Sequence, residues 1–124
     1  MQIIELTLDQ IKPYENNPRD NDGAVEAVAN SIREFGFKVP LVIDKKYTIV
    51  AGHTRYKAAQ KLGLMGVPCI IADDLTQKQI KAFRIADNAT GELADWDLEK
   101  LGIELDGIDY NMEDFGLNLD LEDF

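Results

Sequence analysis

Within residues 47–62 a β-branched run, Thr48, Ile49 and Val50, meets Ala51 and Gly52 and then continues as His53, Thr54, Arg55, Tyr56, Lys57, Ala58 and Ala59. The pattern reads as strand, tight turn and helix start. The first N–H groups of a helix have no internal partner, and the macrodipole adds partial positive charge at the same end. Arg55 and Lys57 in that opening stretch add full charges, so the turn favours a bound anion, with phosphate the obvious candidate.

The rest of the chain supplies a framework for this turn. Residues 2–8 alternate as a strand, and residues 14–23 are polar and turn-rich, with Asn16, Asn17, Pro18 and Arg19. Val25, Val28, Ala29, Ile32 and Phe35 recur at helical spacing, with Asn21 or Asp22 as N-cap and Gly36 as the stop. Residues 40–44 and 47–50 flank Lys45 and Lys46 as a hairpin whose turn holds neither Gly nor Asn, so its register is weakly specified. Residues 67–72 form a further strand. Thr76 and Gln79 make a capping box opening a helix with Ile80, Phe83 and Ile85, which Asp87 and Asn88 close. Residues 97–101 are expected as a short helix, and no internal repeat is present.

Length and charge narrow the class. The chain has 124 residues, 45% of them hydrophobic, which suits one domain with a real core. Its apolar runs are strand-sized, far short of the roughly 18 residues of a membrane span, and no basic-then-apolar leader opens it. The expectation is a cytoplasmic protein. The single cysteine, Cys69, lies among Val67, Ile70 and Ile71, which points to a packed, inert thiol and rules out an intramolecular disulfide. Net charge is minus ten, yet residues 1–84 sum to plus two and residues 85–124 to minus twelve. The front is therefore the anion-friendly part, and the back is an acidic segment.

The order of an Asn-Pro-Arg loop, an amphipathic helix, a Pro-led strand pair, Gly52-His53-Thr54-Arg55 with Ala58-Ala59, a Val67-Pro68 strand and Asp87-Asn88 resembles the N-terminal domain of ParB-like proteins. The resemblance covers about residues 3–100. It implies an α+β fold of the ParB/sulfiredoxin type, a small mixed sheet with surrounding helices.

That resemblance also implies a site. The family's Gly-Glu-Arg-Arg motif, which cradles the phosphates of CTP, falls on Gly52, His53, Thr54 and Arg55, retaining the glycine and the last arginine. The Glu-Asn-x-x-Arg motif falls on Asp87, Asn88 and, at the arginine place, Gly91. Asp87 and Asn88 would then help hold Mg2+ and phosphates, with Asp87 as the metal ligand, Arg19 would reach in from the first loop, and Lys57 would restore part of the lost charge. In the sulfiredoxin branch the motif carries a nucleophilic cysteine. His53 occupies that place here, so sulfinic-acid reduction is not expected.

Each residue also has a plain structural reading. His53 could cap or pack the helix start, Arg19 could be a solvated loop residue, and Asp87-Asn88 could be a helix C-cap, although a helix dipole disfavours Asp there. Trp96, between Asp95 and Asp97, reads as a packing anchor closing the acidic segment onto the domain.

The leading expectation is a nucleotide- or phosphate-binding regulatory domain of a DNA-transaction protein, partition-like or linked to DNA modification. Residues 1–102 form the domain and residues 103–124 an acidic segment leading to a missing domain. Residues 112–117 resemble the junction that precedes a DNA methyltransferase in phage and mobile-element proteins. The implied partners are a nucleotide, DNA through the following domain, and a second copy of the chain, with no membrane. The alternatives are a metal-dependent nuclease, against which stands the scarcity of carboxylates around the Gly52 turn, and an interaction module without a ligand.

Overall fold

Residues Ile3–Thr7 form strand β1, whose alternation leaves Leu6 facing the core, and a 3₁₀ turn follows at Leu8–Gln10. The computed structural model describes residues 2–17, 22–92 and 95–117 of the chain. Helix α1 (Val25–Phe35) follows a 3₁₀ turn at Asp22–Ala24. The residue at its N-cap is Ala24, without a side-chain cap, and Asn21, one of the two caps expected, lies outside the described residues. Gly36 ends it as expected, at φ 86°, donating to the Ile32 carbonyl.

Strands β2 (Leu41–Ile43) and β3 (Ile49–Ala51) make the hairpin, with an irregularity between Val42 and Ile43. Its turn is fixed by a carboxylate in place of Gly or Asn. The buried Asp44 Oδ1 accepts from the amides of Lys46 at 2.8 Å and Thr48 at 3.0 Å. That network holds Tyr47 at φ 67°, the one positive φ of a non-glycine among the described residues.

Helix α2 (His53–Leu62) leaves β3 after a single residue, Gly52, and stops at Gly63, φ 69°. Strand β4 (Gly66–Ile71) then enters the middle of the sheet, whose order is β1-β4-β2-β3. β4 pairs antiparallel with β1 and parallel with β2, so the sheet is mixed. Pro68, which cannot donate to a ladder, sits one residue ahead of the parallel pairing, which starts at Leu41–Cys69. The small mixed sheet with helices matches the α+β class read from the sequence.

Leu41, Ile43, Ile49, Val67 and Cys69 from the sheet pack with Leu6, Ile11, Tyr56 and Ala59. Each fully buried aliphatic side chain contributes about 1.5–3 kcal/mol, and this cluster is what seats α2 on the sheet. Cys69 is fully buried, and burial pushes its thiol up to about 11, as expected of an inert thiol. Helix α1 packs on α2 and is tied to it by the Lys61–Glu26 ion pair.

After β1 the chain crosses to the far side of the sheet. Lys12 lies against the outer side of β3, its amide donating to Tyr47 O at 2.8 Å and its carbonyl accepting from Ile49 N at 2.9 Å. Residues 11–14 thus form a strap that ends beside the start of α2.

Helix α3 (Gln77–Glu92) opens on the expected capping box, Thr76 N to Gln79 Oε1 at 2.8 Å and Gln79 N to Thr76 Oγ1 at 3.2 Å. It does not close at Asp87-Asn88. The helix runs through both residues to Glu92, and Asn88 Nδ2 bonds back to Arg84 O at 3.1 Å. The C-cap reading of this pair is thereby removed. The inward face is also different from the one expected, because Phe83 and Ile85 are exposed while Ile80 and Arg84 are buried.

Helix α4 (Leu98–Leu105) extends past the short helix expected, starting from an Asp97 cap on the Lys100 amide. A last 3₁₀ turn, Met112–Phe115, packs on α1. The rings of Tyr110 and Phe115 lie 5.5 and 5.3 Å from that of Phe35, and Asn30 Nδ2 donates to Asp114 O at 2.8 Å. Trp96, expected as the anchor of this segment, is 62% exposed; Tyr110 and Phe115 hold it instead. No described helix is long and apolar enough to cross a membrane.

Candidate functional site

Gly52 sets the geometry of the α2 N-terminus. Its φ of 107° lies in the region that favours glycine, and a Cβ there would come within 2.5 Å of Leu41 Cδ2. Gly52 has no side chain with which to cap the helix, and among the described residues none takes its place, so the first amides are left for an outside acceptor. Around them lies a cleft of about 130 Å³, lined by Asn17, residues 50–55, Arg84, Asp87 and Asn88.

Arg55 folds back beside Gly52, with Nη2 donating to Pro40 O at 3.1 Å. Its Nε is buried with no hydrogen-bond partner among the described residues, and a buried donor left unmade costs roughly 1–3 kcal/mol. Burial pulls the guanidinium below its ordinary range, and the Asp87 carboxylate opposes that fall. Arg55 stays a cation.

His53 is 9% exposed, and its Nε2 accepts the Tyr14 amide at 3.3 Å. Burial, with Arg84 and Lys57 nearby, holds its pKa down at about 4. It is therefore neutral at pH 7, brings no charge to the cleft, and joins the strap to α2. Thr54 lines the cleft. Lys57 is exposed and is not among the lining residues, while Arg19 lies outside the described residues.

The sequence reading missed Arg84. Its guanidinium lies 3.7 Å over the Tyr14 ring and its Nε donates to Ile49 O at 3.2 Å. The signal was a four-residue period: Ile80, Arg84 and Asn88 share the inward face of α3, with Asp87 beside them.

The cleft thus joins a helix N-terminus and two guanidiniums to one carboxylate, Asp87. That balance suits a polyanion. Its volume is well below the roughly 300–1,000 Å³ of pockets that enclose a whole drug-sized ligand, and fits a phosphate group or two. Asp87 and the Asn88 amide fit a Mg2+ that arrives on phosphates, which needs one or two protein carboxylates rather than a full protein cage. Among the described residues no cluster of three His, Cys, Asp or Glu exists.

A polar cleft with two arginines at the start of α2, set on a small mixed sheet, is the setting in which the comparisons with known proteins are read. The ParB N-terminal domain model matches residues 1–89, and the chain belongs to that family. It is 36% identical over 80 residues to the ParB-like nuclease domain-containing protein YnaK of Escherichia coli K12, covering 64% of this chain and 92% of that protein. It is 42% identical over 76 residues to a probable chromosome-partitioning protein ParB of Coxiella burnetii, covering 56% of this chain and 26% of that one. The chain thus spans about a quarter of that partitioning relative.

Among solved structures, C-terminally truncated ParB from Caulobacter crescentus complexed with CTP-γ-S superposes with a TM-score of 0.70 at 26% identity, covering 95% of this chain and 67% of that one. Sulfiredoxin from Arabidopsis thaliana follows with a TM-score of 0.57 at 32% identity, covering 67% and 97%.

Proposed function

We propose that the cleft at the start of α2 holds the phosphates of a nucleoside triphosphate, CTP with Mg2+, and that the domain acts as the nucleotide-responsive part of a DNA-transaction protein. The observation carrying this is the uncapped α2 N-terminus with Arg55 and Arg84 turned to one polar cleft. The likeness to a ParB crystallised with CTP-γ-S supports the choice of nucleotide. Gly52 lets the backbone approach the phosphates, Arg55 and the first amides of α2 bind their oxygens, and Asp87 with Asn88 would hold the metal. The metal would neutralise phosphate charge and fix the chain of phosphates against the cleft. Contact with DNA belongs in this reading to a following domain, whether in partition or in DNA modification. Arg19 would close over the phosphates from the first loop, and a second copy of the chain is a partner by kinship.

The nuclease alternative draws on the name of the E. coli relative. A two-metal site needs several converging carboxylates, and the cleft lining offers Asp87.

Thermal unfolding with each of the four ribonucleoside triphosphates and Mg2+ tests the reading. CTP at about 100 times its Kd stabilises by about 2.7 kcal/mol, and Arg55→Ala removes that shift. No shift with any of the four at millimolar concentration would leave the interaction-module reading in its place.

A further inference from the structure

Arg84 is 8% exposed, and among the described residues no carboxylate pairs with it. Its Nε is taken by Ile49 O, its plane rests on Tyr14, and the residue lines the cleft beside Gly52, Thr54 and Arg55. A buried cation that no described carboxylate pairs with is costly, and a guanidinium fixed through one nitrogen and one face retains its terminal N–H groups for an anion. Arg55 supplies an independent sign of a missing acceptor in its buried Nε, which has no partner among the described residues.

We infer that Arg84 is a principal phosphate-binding residue of this cleft, supplying a cation from α3. The Tyr14 ring, held to α2 through the Tyr14–His53 hydrogen bond, positions it. The assignment rests on the phosphate-cleft reading above. It adds that a cation comes from one turn before Asp87, so phosphates are gripped from the side of the Tyr14 strap.

The test is isothermal titration of the full chain with two probes, inorganic tripolyphosphate and CTP, each with Mg2+ and at two salt concentrations. Arg84→Gln weakens both probes tenfold or more and makes tripolyphosphate binding less dependent on salt, a change that loss of packing alone does not produce. Arg84→Lys keeps the charge and recovers part of the affinity. Wild-type affinity and salt dependence in Arg84→Gln would overturn the assignment and leave the cleft reading standing. Failure of the wild-type chain to bind either probe would overturn both. Should Arg84→Gln not fold, ¹⁵N spectra of the wild-type arginine side chains decide: Arg84 signals move on adding tripolyphosphate, and unmoved signals at saturation overturn the inference.

Discussion

The main-chain amide of Tyr14 donates to Nε2 of His53 across 3.3 Å, which places the imidazole proton on Nδ1 and ties the strap to α2. The pKa of His53 is about 4 in the fold, against an ordinary 6.5, so the unfolded chain takes up the proton first. The stabilisation is complete above pH 6.5 and is lost as pH falls toward about 4. Urea unfolding at pH 7 and pH 5 should show wild type losing roughly 2 kcal/mol more than His53→Gln, in which the amide keeps an acceptor and the titration is gone. Equal losses would assign the acid sensitivity to other groups.

Two glycines at positive φ separate strain from collision. Gly63→Ala meets nothing within 4 Å and should cost only the left-handed backbone, about 1 kcal/mol. Gly52→Ala adds the clash with Leu41 Cδ2, a branch of the fully buried Leu41, and should cost about 3 kcal/mol or more. Denaturant midpoints of the two variants, measured together, check the ordering.

Asp44→Ala orphans the amides of Lys46 and Thr48 at a turn already holding Tyr47 at positive φ. Each orphaned donor costs roughly 1–3 kcal/mol where it is out of water, so with two donors at a partly exposed turn the variant should lose about 2–4 kcal/mol in all, and Asp44→Asn, which keeps Oδ1, much less. Thermal unfolding of both variants decides whether the carboxylate fixes the hairpin.

The acidic segment can be tested without deleting it. Changing Glu104, Asp106 and Asp109 to their amides takes the net charge from minus ten to minus seven while leaving Tyr110 and Phe115 on Phe35. If the segment competes with nucleic acid for the basic front, affinity for a short duplex at low salt rises. Unchanged affinity means these acids are merely solvated.

Much of this was legible because it rests on local signals. Thr76 and Gln79 cap a helix by their own side chains, Gly36 and Gly63 stop helices by their backbone freedom, and Cys69 sits in an alternating strand. The errors share a cause in long-range packing. Phe83 and Ile85 look like a core face by hydropathy, yet α3 turns Arg84 inward because the Tyr14 ring and the Ile49 carbonyl, each 35 or more residues away in sequence, receive it. For His53 the motif place left capping, packing and anion contact open, and its Tyr14 partner depends on the strap's return to α2, which no local signal announces. Trp96 drew attention by size, whereas the anchoring of the tail depended on which rings α1 presents.

The strap's run along β3 has a bearing on solubility. An outer strand with open amides and carbonyls invites another chain to add itself, and Lys12 occupies those groups at Tyr47 and Ile49. Two residues further on, the same segment carries Tyr14, fastened to His53 and lying under Arg84. Whatever tightens the grip of Arg84 and His53 on Tyr14 therefore also keeps β3 shielded. The guard on the open edge of β3 and the support of Arg84 beside the cleft therefore belong to one short piece of chain.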